Sequence, residues 1–153
     1  MQISDDLKAA SGATLQIVQF NATFEGFGMV MDYLCRTAPF SGFTSKTLAD
    51  ALHQQLELGH HLVAMQRGIV VGYAGWLLTS QAIAEAWRED RDSLKAHPSA
   101  EVAALTIVAA NERPVVTRLI RGARNLNPDV RYYFKRGGEG ERPGMKRWIR
   151  GAG

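Results

Sequence analysis

Apolar and polar positions alternate over Thr14–Phe20, which predicts a first strand. Phe27, Val30, Met31 and Leu34 then recur at helical spacing and predict a helix over about Thr23–Arg36. Pro39 and Gly42 break the chain in the loop Thr37–Phe43. Thr44 or Ser45 caps a second helix, with Leu48, Ala51, Leu52 and Leu56 on one face and Gly59 as its stop. A hairpin follows: His61–Gln66, a turn at Arg67-Gly68, then Ile69–Leu78. The second of these strands is almost continuously apolar, as a strand covered on both faces must be. Gln81–Lys95 reads as a helix with Ile83, Ala84 and Trp87 inward and the charged run Arg88–Asp92 in solvent.

Glu101–Ala110 is a further buried strand, closed by the turn Asn111-Glu112-Arg113-Pro114. The helix Val115–Asn125 turns Val116, Leu119, Ile120 and Ala123 inward and leaves Arg118, Arg121 and Arg124 on a basic outer arc. Asn127-Pro128 stops it, and Val130–Lys135 forms a last strand. This order implies an α/β (α+β) class: one domain over 1–136 with a mixed, mostly antiparallel sheet flanked by helices. Residues 1–13 read as a loose leader and 137–153 as a basic, glycine-containing tail. Strand 101–110 belongs inside the sheet beside the hairpin, with strand 130–135 splayed beyond the turn at 111–114. Leu48, Leu52, Val63, Val71, Ala74, Ile107, Leu119 and Ile120 form the expected core.

A chain of 153 residues, 46% apolar and 22% charged, is one domain with enough surface to bury a core. No apolar run reaches the roughly 18–20 residues that cross a bilayer, and Asp5-Asp6 stand where a signal peptide carries positive charge. The expectation is a cytoplasmic protein without a membrane span. The single cysteine, Cys35, excludes an internal disulfide and reads as a buried apolar filler beside Val30, Met31 and Leu34. Net charge is +3 but polarised: residues 113–153 hold eleven of eighteen Lys and Arg and three of fifteen acids. Such a face suits an anionic partner or merely keeps the chain soluble.

Several chemistries are excluded by pattern. Glycine-rich phosphate loops, zinc-protease and nucleophile-elbow motifs are missing. His60 and His61 are adjacent and so face opposite sides of a strand, and no carboxylate stands at ligand spacing, so no metal is expected. Gly72 and Gly75 sit within a strand and point to close packing. The turn after strand 101–110 is different, because a strand running into a helix presents unpaired backbone N–H groups that suit phosphate. Ala109, Ala110, Asn111, Glu112, Arg113 and Arg118 are therefore the candidates to bind a phosphate-bearing ligand, although any α/β protein has such turns.

The stretch His61–Ser80, with a short turn followed by a strand ending in Tyr73-x-x-Trp76, resembles the central hairpin of the toxin-activating lysine acyltransferases. The resemblance extends from about residue 30 to 136 and includes Ala38-Pro39-Phe40. It implies a GNAT-like fold, an acyl carrier protein or acyl-CoA as donor, and a protein lysine as acceptor. The family's histidine falls at Ser41 here, and its strand aspartate at Leu105 or Thr106. Any base must then come from elsewhere. The candidates are His60, His61, His97 in its loop and Glu101 at the strand head, each with a plain structural alternative. The superfamily's glycine-bearing pyrophosphate motif is also absent from Asn111–Val116, which weighs against tight coenzyme A binding. Tyr132 and Tyr133 alternate faces, which puts one of them near the strand-to-helix cleft; Tyr133 is the candidate to protonate a leaving thiolate.

Three functions fit these residues. The first is an acyltransferase acting on a protein amine. The second is a binding or adaptor module that keeps the fold without its active centre. The third is nucleic-acid binding through the basic last third, where Tyr132, Tyr133 and Trp148 interleave with Arg and Lys. An oligomer is compatible with each.

Overall fold

The structure is a computed structural model that describes residues 14–135. The leader 1–13 and the tail 137–153 anticipated above, with Arg136, lie outside the described residues. Five strands form one sheet: β1 (Gln16–Val18), β2 (His61–Gln66), β3 (Ile69–Thr79), β4 (Val102–Ala110) and β5 (Arg131–Phe134). The helices are α1 (Phe24–Cys35), α2 (Ser45–Leu58), α3 (Gln81–Arg88) and α4 (Arg113–Leu126). Strand order in space equals strand order in sequence, β1-β2-β3-β4-β5. All pairs are antiparallel except β4–β5, which is parallel and needs α4 as its connection.

Local chemistry sets the boundaries. Thr23, Thr44 and Ser80 cap α1, α2 and α3 with side-chain oxygens that accept from the N–H of Gly26, Thr47 and Ile83. At the end of α2, Gly59 takes φ +70°, and His60 N–H returns to the Gln55 carbonyl at 2.9 Å. That left-handed residue turns the chain directly into β2. Arg67 and Gly68, both at positive φ, make the tight turn whose twist matches the hairpin β2–β3.

The α1 and α2 face of the sheet packs Val30, Leu34, Leu48 and Leu52 on Val63, Tyr73 and Ile107. The other face packs Val116, Leu119 and Ile120 of α4 on Leu62, Ala74, Trp76 and Leu105. Every expected core residue is buried. Gly72 lets α4 approach β3, since a Cβ there would lie 2.7 Å from Val115 Cγ1 and 3.1 Å from Leu119 Cδ1.

Two expectations are corrected. Helix α3 ends at Arg88 rather than Lys95, because Glu89 and Asp90 place two carboxylates at the negative helix end and Asp90 turns to φ +59°. Cys35 is exposed on the last turn of α1, its thiol donating to the Asp32 carbonyl at 3.2 Å, because Val30 and Leu34 take the inward positions.

Candidate functional site

Strand β4 is longer than its last partner. Parallel pairing runs from Val102–Arg131 to Leu105–Phe134 and stops, while β4 continues to Ala110 against β3. The departure coincides with a bulge: Trp76 opposes Leu105 and Gly75 opposes Ile107, so Thr106 is an extra residue. A bulge bends its strand and re-aims a side chain, which is why bulges recur beside active sites. Beyond Leu105–Phe134, among the described residues, no strand flanks β4 on the β5 side. That edge of β4 can pair with an extended ligand.

A buried polar network meets this opening. Gln55 stands on the apolar face of α2, is 4% exposed, and projects over Gly75. Tyr73 Oη donates to Gln55 Oε1 at 2.7 Å, and Gln55 Nε2 donates to Thr106 Oγ1 at 2.8 Å. Thr106 Oγ1 in turn reaches the Gly75 carbonyl at a long 3.4 Å. Burial pushes the Tyr73 hydroxyl far above its ordinary value, so it serves as a donor and never as a base near neutrality. The fixed donor at Gln55 leaves the Thr106 hydroxyl hydrogen free to exchange its weak contact for a ligand oxygen.

The proposed bases are placed apart. His61 is fully buried: Nε2 accepts from Phe20 N–H at 3.0 Å, so Nδ1 carries the proton and donates to the Gln55 carbonyl, also at 3.0 Å. Burial holds its pKa below the usual value, and both nitrogens are spent on joining β1, α2 and β2. His60 lies on the opposite face, its ring 6.4 Å from that of Trp76. Its Nδ1 and Trp76 Nε1 are buried with no hydrogen-bond partner among the described residues. Glu101 is exposed at the far end of β4, its N–H bonded to Thr79 O at 3.1 Å. His97 is exposed, its Nδ1 taken by Ser99. Tyr133 faces α3, where its hydroxyl meets Glu85 Oε1 at 3.3 Å and its ring lies under Arg88. Tyr132 points to the α4 face and bonds the Ala123 carbonyl at 2.5 Å. The geometry therefore unites none of these groups at the bulge.

The donor turn is spare. Ala110 ends β4 and Arg113 begins α4, leaving Asn111 and Glu112 as the whole connection. Ala109 is buried in the core, 1% exposed. Asn111 N–H donates to Val71 O at 3.0 Å, and Asn111 Oδ1 accepts from Tyr33 Oη at 2.9 Å. Burial pushes the Tyr33 hydroxyl up to about 12, so it stays a donor. Glu112 is the N-cap and makes no side-chain cap. Arg118 reaches Leu15 O at 3.2 Å, beside β1 and at the sheet edge opposite β5. Among the described residues no group of three His, Cys, Asp or Glu is placed to hold a metal ion, and no helix is long and apolar enough to cross a membrane.

Sequence reasoning missed Gln55, Tyr73 and Thr106 as one unit. Gln55 was visible as a polar residue within the Leu48-Ala51-Leu52-Leu56 stripe, where a buried amide needs partners. Thr106 was likewise visible as a polar residue in the apolar run Val102–Ala110, but its link to Tyr73 and Gln55 was not, because a bulge is a relation between two strands.

No protein-family model matches the chain, and no curated protein resembles it in sequence. Solved structures do match its shape. An aminoglycoside N-acetyltransferase in complex with a coenzyme A bisubstrate analogue is 17% identical, with a TM-score of 0.60 over 92% of this chain and 89% of that one. Diaminobutyrate acetyltransferase from Paenibacillus lautus, bound to its diamine substrate and coenzyme A, gives 13% and 0.62 over 92% and 75%. A GCN5-related N-acetyltransferase from Ralstonia eutropha JMP134 gives 13% and 0.55 over 90% of each chain. This chain has the fold of the GCN5-related N-acetyltransferases.

Proposed function

We propose that this chain transfers an acyl group from a thioester to an amine, with the donor arm in the β4–β5 opening and its carbonyl at Thr106. The observation that carries the reading is the coincidence of three features: the bulge, the end of β5 pairing at Leu105–Phe134, and the Tyr73–Gln55–Thr106 network. The amide-bearing arm of a pantetheine thioester is extended and can hydrogen-bond the edge of β4 that no described strand pairs, as an added strand does. The amine nitrogen attacks the thioester carbon, a C–N bond forms, and the C–S bond breaks as the thiolate leaves. Thr106 Oγ–H donates to the carbonyl oxygen while negative charge gathers there. Gln55 and Tyr73 are positioning residues that hold that hydroxyl. No His, Asp or Glu joins the network, so the amine arrives unprotonated, and its surplus proton passes to solvent or to the thiolate. Support for a coenzyme A donor comes from the liganded relatives of the same fold.

A second reading, an acyl-binding module without turnover, is favoured by one observation: no residue that titrates near neutrality lies in the polar network. One experiment separates the two. The full chain is incubated with acetyl-CoA, octanoyl-CoA and acyl carrier protein thioesters, together with small diamines, aminoglycosides and lysine-rich peptides. Free thiol and acylated amine are followed. Amine-dependent thiol release that drops at least about 10-fold in Thr106→Val supports transfer. Thioester binding with no thiol release supports the module, and neither binding nor release defeats both readings.

A further inference from the structure

We infer that this protein recognises its donor by the acyl-pantetheine arm alone, and that the nucleotide diphosphate end of coenzyme A adds nothing to affinity. The inference rests on the thioester reading above and concerns which part of the donor is held. A diphosphate at a strand-to-helix turn needs convergent N–H donors, room for close backbone approach, and cations. Among the described residues, the turn supplies little of each. It is two residues long, Asn111 and Glu112, with no glycine. Pro114 in the first helical turn has no N–H, and Val115 N–H already donates to Glu112 O at 3.1 Å. Asn111 spends its backbone N–H on Val71.

Charge points the same way. Glu112 at the N-cap sets a carboxylate at the positive end of α4, where a diphosphate would have to sit. Arg118, one turn further on, reaches back to Leu15 beside β1, the sheet edge opposite the opening. Among the described residues, Arg113 is the cation at the turn itself, against a ligand of two or more negative charges. The pantetheine half meets none of these obstacles, since it is uncharged and lies along Thr106–Ala110. The donor class that fits is an acyl thioester of a pantetheine-type arm, whatever its far end carries.

Calorimetry on the full chain tests this with three ligands: coenzyme A, pantetheine and 3′-phosphoadenosine 5′-diphosphate. Coenzyme A and pantetheine are expected to bind within about 3-fold of one another, with no detectable heat from the nucleotide. In Glu112→Gln, coenzyme A should gain a few-fold, about what one carboxylate at a helix N-terminus costs an anion, while pantetheine stays unchanged. Coenzyme A binding more than about 30-fold tighter than pantetheine, or micromolar nucleotide binding, overturns the inference and leaves the thioester reading standing. Unchanged coenzyme A affinity in Glu112→Gln also counts against it. Binding of none of the three sinks the inference together with the thioester site.

Discussion

Gln55 occupies the space that a Cβ on Gly75 would need: the ideal position overlaps its Oε1. The glycine on β3 and the amide on α2 are thus one feature. Gly75→Ala must displace Gln55 and break its bonds to Tyr73 and Thr106, which should cost about 1–3 kcal/mol in urea unfolding. Gln55→Leu should cost a similar amount by stranding the Tyr73 hydroxyl. Tyr73→Phe in that background should recover part of the loss, with a coupling of about 0.5–3 kcal/mol. Strictly additive effects would show that the network contributes nothing as a unit.

Stability should fall on acidification through the histidine range. Burial lowers the folded pKa of both His60 and His61. Below about 6.5 the unfolded chain therefore binds more protons than the folded one. The stabilisation is fully present above that pH and is lost as pH falls toward the folded values, by up to about 1.4 kcal/mol per pH unit for each group. Urea midpoints at pH 7.5 and 5.5 measure the drop. His61→Ala should lower stability at both pH values and shrink the difference between them.

Transfer should follow the acceptor and not the enzyme. With Tyr73 raised far above neutrality and no carboxylate or imidazole in the network, the pH profile of kcat/KM should climb with the free-amine fraction up to the acceptor's own pKa. Two acceptors of different pKa should displace the profile accordingly. A fixed inflection near 6–7 for both would reveal a protein base.

Gly72→Ala should push α4 away from β3. Its Cβ would meet Val115, Leu119 and the Ala109 carbonyl at 2.7–3.1 Å. The expected cost is about 1–3 kcal/mol from overpacking. Gly28, with nothing within 4 Å of a new Cβ, should tolerate alanine inside α1 and gain helix propensity. Thermal melts of the two variants should therefore move in opposite directions.

The legible part of this protein was what depends on neighbours in sequence. Period and caps marked α2 down to Thr44 and Gly59, and the Arg67-Gly68 turn fixed the hairpin. Adjacency in a strand predicts that His60 and His61 face opposite sides, and they do. What escaped depends on distant partners. The end of α3 is set by electrostatics at one turn, and Cys35 by which third of α1 meets the core. The bulge exists only because Trp76 and Gly75 pair around Thr106. A sequence pattern could bring candidate bases to notice, but only the sheet shows that they lie on different faces.

Because space repeats sequence in this sheet, the molecule can be assembled in the order in which it is synthesised. Each strand after the first arrives beside one already made, and three of the four pairings join antiparallel neighbours. β5 comes last and is the one strand that pairs in parallel, so it must cross back over the sheet through α4 before it can join β4. Emerging from a ribosome, the chain would therefore hold β4 as a temporary outer rim until Tyr132 and Tyr133 dock. That interval is when a nascent chain of this kind is most exposed to pairing with a neighbour.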